Sequence, residues 1–283
     1  MNEGQLKLGE AEIAAGSQLQ NAADAQVSAT NLKVAAGGLL WNKTDGIVSA
    51  DTLTAQGSVR NFGTLSVKNG DFAGTETSQT IANNGVMLFR TFSLSAGADF
   101  LNAGTMRAED ATLSDAETEY KNEEGKTAEF NNLTVASGAS YENLGTLKVY
   151  DSLTVTGEGS VLTNRNEGTV ANDITIADGA SLAQAAGAFT GNTLKIEGGE
   201  LLVTGGDFSA VGGVEFTDGL IAYQGTDKEK VTGSLALKSE IGGTIAVENA
   251  SLTLGRYQVE TPDTPETQAD GLPSAKHIFA ADY

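Results

Sequence analysis

The chain has 283 residues, of which 37 are Asp or Glu and 17 are Lys or Arg, giving a formal net charge of −20 at pH 7. That balance argues against a nucleic-acid surface, where clustered Lys and Arg must meet phosphate, and against anchoring on anionic lipid. There is no cysteine, which rules out disulfides and thiol catalysis, and no run of about 18 apolar residues that would span a membrane as a helix.

The opening Met1-Asn2-Glu3-Gly4 is polar and acidic, unlike a signal peptide. A repeat is under way by Ala11-Glu12-Ile13, so the expectation is a piece of a longer chain. Residues 1–30 read as one or two coils with Leu6, Leu8, Ile13, Leu19 and Val27 inward. Residues 31–110 are regular coils; Trp41, the single tryptophan, reads as a partly covered surface or strand-end group. Residues 107–129 are the most acidic stretch, from Glu109 to Glu129, and several acids alternate with small residues as on an outward strand face.

Residues 130–205 return to the regular repeat, which Asn132 to Asp151, NLTVASGASYENLGTLKVYD, shows best. Leu133-Thr134-Val135 and Thr146-Leu147-Lys148-Val149 alternate apolar with polar, the period of a strand. Gly138 and Asn143-Leu144-Gly145 lie between them, residues that allow a sharp bend. From 206 the pattern loosens and glycine pairs such as Gly212-Gly213 and Gly242-Gly243 take over the turns. The repeat ends near Leu252-Thr253-Leu254-Gly255. All three prolines, Pro262, Pro265 and Pro273, follow it. The domain reading is therefore a repeat over residues 1–260 and a Pro-containing linker or terminal cap over 261–283, in which Ile278 and Phe279 could add a last strand.

Four columns recur at intervals of about 20 residues. The first is asparagine: Asn21, Asn42, Asn61, Asn83, Asn102, Asn122, Asn143 and Asn164. The second is Asn or Asp: Asn31, Asp51, Asp71, Asp110, Asn131, Asp151, Asn172 and Asn192. An apolar column follows it (Leu32, Leu53, Phe72, Phe92, Leu113, Leu133, Leu153, Ile174, Leu194, Val214, Leu235, Leu252). Another lies eight residues further on (Leu40, Phe100, Tyr141, Val161, Leu182, Leu202). A leucine-rich repeat needs Leu three and five positions before its asparagine, but Ser140 and Gly138 stand there ahead of Asn143. The expected fold is all-β: a parallel β-helix of about 12 coils, with three short strands and three turns each. Stacking at the strand spacing makes this a rod on the order of 55–60 Å long.

The asparagine column reads as a structural ladder, each amide N–H donating to the next carbonyl along the stack. The Asp/Asn column could offer carboxylates to Ca²⁺, but Asx residues before strands also bond the turn backbone, and Asn replaces Asp in about half the coils. The Gly-rich calcium nonapeptide is absent. The acidic stretch could hold a glycosidase carboxylate pair or be a solvated strand face. The single histidine, His277, lies in the tail, which argues against a His-based triad or a zinc site on the repeat. The glycine pairs Gly198-Gly199 and Gly205-Gly206 lack the residues of a phosphate loop. The glycosylation triplets beginning at Asn42, Asn132 and Asn249 are weak signals. No coil face clearly gathers acids with Arg or Lys.

With inward Leu/Val/Ile, words such as Leu133-Thr134-Val135-Ala136-Ser137-Gly138-Ala139 and Ile174-Thr175-Ile176-Ala177-Asp178-Gly179-Ala180, Asn-x-Gly-Thr turns and no cysteine, residues 5–255 resemble the passenger domains of Gram-negative autotransporters. The resemblance implies a right-handed β-helix, export through the outer membrane by a C-terminal β-barrel that these residues do not include, and display at the cell surface, often for adhesion. The resulting expectation is a non-catalytic stalk or adhesin that binds host or matrix glycans or proteins by a lateral face, with no catalytic residues, metal or cofactor. A carbohydrate-active β-helix enzyme, either lyase or hydrolase, and a trimeric phage tail-spike segment remain as alternatives.

Overall fold

The computed structural model describes residues 1–75, 79–166, 168–238, 241–256 and 278–281. Over these residues the chain is a parallel β-solenoid of about 12 coils, its 24 strands joined in one sheet with no helix.

A coil consists of one long strand and one short strand: Gln26–Val34 then Leu39–Asn42, Ile47–Ala55 then Ser58–Asn61, Thr127–Ala136 then Ser140–Asn143. The long strand is bent at its middle. In Gln26–Val34, Val27 and Ala29 point inward before the bend and Leu32 and Val34 after it, while the adjacent Thr30 and Asn31 both face out. A pleated strand cannot place two neighbours on one side without turning, so each long strand supplies two faces and the short strand the third.

The three corners have different chemistry. The bend carries the outward polar pair. The corner between the second and third faces is a two-residue turn: Ala139 N donates to Ala136 O at 3.1 Å, with Ser137 and Gly138 at φ 55° and 89°. Ala96-Gly97 and Asp178-Gly179 repeat that left-handed pair, which explains the glycine in the Ser-Gly and Asp-Gly words. The third corner follows the asparagine column. The glycines of its tight Asn-x-Gly form have ordinary φ and are required for a different reason. A Cβ on Gly63, Gly85 or Gly104 would run into the backbone carbonyl of the coil before, that of Gly46, Gly63 or Gly85. At these glycines the backbones of successive coils are in direct contact, and the Asn-x-Gly-Thr word records that close approach.

Inside, residues stack in register. Leu40, Val59, Ile81, Phe100, Tyr120, Tyr141, Leu162 and Leu182 lie one above another on the third face. Val161 and Leu202, expected in that column, face outward instead, paired with Ser140 and Ala183. The two-residue corner is one residue longer after Leu153 and one shorter after Leu194, so a fixed offset of eight fails there. The other apolar column is also corrected. Gly70 and Ala111 hold the positions that Phe72 and Leu113 were expected to hold, and those two lie one inward position further along. Gly70 is not a defect: the Phe89 ring occupies the space a Cβ would take. Leu235 and Leu252 belong to the first face, paired with Ala210 and Gly233. Burial of each such side chain contributes about 1.5–3 kcal/mol.

The middle coils are aromatic: Phe72, Phe89, Phe92, Phe100, Tyr120, Phe130 and Tyr141 are in mutual contact, with Phe100, Tyr120 and Tyr141 stacked at centroid distances of 4.9 and 4.6 Å. At the far end Ser251–Arg256 pairs with Val231–Leu237, and Ile278–Ala281 runs parallel to Thr244–Glu248. The linker expected over 261–271, and His277, lie outside the described residues.

Candidate functional site

The eight asparagines of the first column occupy one register position at the end of the short strand, all buried. Each side-chain N–H donates to the Oδ1 of the next coil's asparagine: Asn21 to Asn42 at 2.9 Å, Asn42 to Asn61 at 2.8 Å, and so on to Asn143 and Asn164 at 2.7 Å. The same amide also donates to corner carbonyls, as Asn42 does to Gly46 O at 2.9 Å and Thr64 O at 3.0 Å. Each amide group has partners within the ladder and all eight side chains are buried, so the column presents no open site to a ligand. Sequence reasoning missed both ends of the ladder. Asn2 donates into Asn21 at 2.8 Å, and Asn164 donates into Gln184 Oε1 at 2.8 Å. The signal for Gln184 was present, an amide side chain one period after Asn164.

The Asp/Asn column does not form one row. Asp51, Asn131, Asn172 and Asn192 sit at the first bend position, Asn31 and Asp110 at the second, and Asp71 on the second face opposite Thr54 and Ser93. Coil lengths vary by a few residues, and a two-residue corner makes one such step a change of row. What forms at the bend is an exposed polar ladder: Asn132 donates to Asp110 at 2.8 Å, Ser152 to Asn132 at 2.6 Å, and Thr193 to Asp173 at 2.7 Å. Among the described residues no group of three or more His, Asp or Glu could hold a metal.

Along this bend runs an open trough of about 500 Å³. One wall is the outward row Lys7, Ser28, Ser49, Ser66 and Leu88; the other is the corner row Thr30, Asp51, Lys68, Arg90 and Glu109. A second hollow of about 220 Å³, sharing Leu88, Phe89 and Glu109, extends it past Arg107 and Glu129 to Tyr150. Acids and cations from consecutive coils are therefore gathered on one line, contrary to the expectation that no face gathers them. They are also matched. Asp51 pairs with Lys68 at 2.5 Å, Glu109 with Arg90 at 3.5 Å, and Glu129 with both Arg107 at 2.7 Å and Lys148 at 3.3 Å. The Glu129 side chain is only 14% exposed, the most sheltered carboxylate of the set.

Tyr150 reaches the trough by a device that periodicity does not show. The register shifts between Val149 and Ser152 against both neighbouring coils, a bulge that inserts one extra residue at the corner. Bulges bend the strand and re-aim a side chain, and Tyr150 is 53% exposed as a result. A second shift, between Gly191 and Thr193 against the next coil, leaves Val211 exposed.

The acidic stretch does not converge. Glu109 and Glu129 lie on the trough, Asp115 accepts a backbone N–H from Ala96 at 3.1 Å at the tight corner, and Glu123 and Glu124 are in the turn after Asn122. No helix of the described residues is long and apolar enough to cross a membrane. Comparison with family models, curated proteins and solved structures gives no match.

Proposed function

We propose that this chain is a β-helical rod of the autotransporter-passenger kind, displayed outside the cell as a stalk or adhesin, whose work is done along its side. The observation that carries the reading is the trough: an open strip crossing several coils, with neighbouring charges already paired across coils. Such a surface suits a long polar partner, a glycan chain or an extended protein segment, laid across the coils. Exposed pairs of this kind contribute about 0–1 kcal/mol each to stability, so they are free to exchange partners on binding. The other partner of this reading is the β-barrel translocator of the whole protein.

One observation favours a second reading, a carbohydrate-active enzyme. Glu109, Glu129, Arg90 and Arg107 lie together on consecutive coils, and Glu129 is sheltered. Against it, both Glu129 carboxylate oxygens are already engaged, one by Arg107 and the other by Lys148, so neither is presented to a substrate. The test is to apply the purified chain to a glycan and extracellular-matrix array and assay reducing-end release in the same wells. Binding without release supports the rod. Release that disappears in Glu129→Gln supports the enzyme.

A further inference from the structure

The third face carries a feature the trough does not share. Trp41 points outward from the short strand Leu39–Asn42, flanked across the sheet by Gln20 and Arg60. Phe62, in the corner after Asn61, is 41% exposed and stands beside it. Trp41, Phe62, Lys43, Thr44 and Ala23 line a hollow of about 330 Å³. The Lys43 Nζ sits 5.4 Å from the centre of the Trp41 ring.

The hollow brings cations beside an aromatic ring. Acids outnumber cations by 37 to 17, and most cations of the described residues are tied to a carboxylate. Lys43 and Arg60 make no ion pair among the described residues, although Asp24 and Asp45 stand in the adjoining turns, and neither acid lines the hollow. Lys43 lines the hollow and Arg60 lies across the sheet from Trp41, so two cations without a carboxylate partner among the described residues stand beside the single tryptophan of a strongly negative chain.

We infer that the Trp41 hollow binds an acidic saccharide, a sugar ring bearing a carboxylate or sulfate, and this rests on the lateral-binding reading above. An aromatic ring presents a flat apolar face to the C–H face of a sugar, and Lys43 with Arg60 supplies the countercharge to its anionic group. The size fits a small ligand: the hollow lies at the low end of small-molecule sites. A stable protein interface needs more than about 1,000 Å² of complementary surface, which five residues at one corner do not supply, so a saccharide is favoured over a second copy or a protein partner.

Because Trp41 is the only tryptophan, its fluorescence reports on this hollow alone. The full chain is titrated with sialyllactose and with a hexuronate oligosaccharide, with lactose as the neutral control. The expected result is a saturable change in tryptophan emission with both acidic sugars and none with lactose, weakened by salt. Lys43→Gln and Arg60→Gln, both at the surface, each weaken the apparent affinity about tenfold, and wild-type circular dichroism shows they are folded. An equal response to lactose overturns the acidic assignment. Silent emission while the same sample binds glycans on an array overturns this site and leaves the lateral reading standing. No binding to any glycan on either readout sinks the inference and removes the glycan arm of the broader reading.

Discussion

Between Asn2 and Gln184 the corner leading into each new coil is closed by side-chain amides; from Val203 onward the same register position is Val203, Tyr223 and Val247. In the first region the sheet is regular, apart from the one bulge at Tyr150. In the second, the register shifts repeatedly, and the tight corner dissolves into the continuous strands Ala188–Val203 and Gly206–Gln224. Leu201, Val203, Phe208 and Tyr223 are as fully buried as the core of the ladder coils, so burial of the inner coils does not separate the regions. An amide ladder is satisfied in one register only, because a slip of one residue would orphan a donor and an acceptor in a dry interior. An apolar column tolerates slips. The only polar atom of that later column with a buried partner, the Tyr223 hydroxyl, donates to Phe208 O at 2.8 Å and needs no neighbour in its own column.

The sharpest way to break the comparison is to interrupt the ladder. Asn102→Leu keeps the branched shape and heavy-atom count but strands the Asn83 N–H, the Asn122 carbonyl oxygen and Thr127 O. A loss of about 4 kcal/mol in urea unfolding is expected, since each orphaned buried group costs about 1–3 kcal/mol. A loss below about 1 kcal/mol would mean that the ladder is incidental.

The backbone stacking beneath the ladder comes next. Gly104→Ala drives a methyl into the Gly85 carbonyl and should cost about 2–3 kcal/mol. Gly125→Ala, in the wide turn of the next coil, meets nothing but must keep a φ of 70°, so about 1 kcal/mol is expected. Equal effects would contradict close approach as the reason for glycine in the Asn-x-Gly word.

That contrast shows what the sequence could and could not convey. The asparagine column was legible because its amides must repeat, and the turn glycines because few residues replace them. The apolar columns were only partly legible, since Leu, Gly70 and Ala111 can share one column when Phe89 or another neighbour fills the volume. The bend row was mis-aligned because steps of 19 to 22 residues between successive asparagines move a side chain to another row. The trough and the Tyr150 bulge arise only after alignment, and periodicity alone does not contain them.

Smaller effects come from the core tyrosines. Burial raises the Tyr120 and Tyr141 hydroxyls well above the ordinary value of 10.0, with Tyr120 adding to the rise at Tyr141; Tyr223 is raised by burial and then by Asp207. A neutral phenol is therefore favoured in the fold. Above pH 10.0 the unfolded chain releases these protons while the folded chain keeps them, so stability is constant below that pH and falls as pH rises above it. The slope should approach about 1.4 kcal/mol per pH unit for each tyrosine. Tyr120→Phe should reduce that slope by one proton. At neutral pH the same change should be neutral or stabilising by up to about 1 kcal/mol, because the Tyr120 and Tyr141 hydroxyls are buried with no hydrogen-bond partner among the described residues. Marked destabilisation at neutral pH would reveal a partner for that hydroxyl.

The most direct test of the two-region account is native-state hydrogen exchange on the whole chain. Amides of the third-face strands from Leu39–Asn42 to Ser181–Gln184 should exchange slowly and together, as one cooperative unit. Those of Gly206–Gln224, Val231–Leu237 and Thr244–Glu248 should open at lower free energy. Uniform protection across Gln184, or earlier opening of the ladder coils, would contradict the claim that the amide column locks this half of the rod.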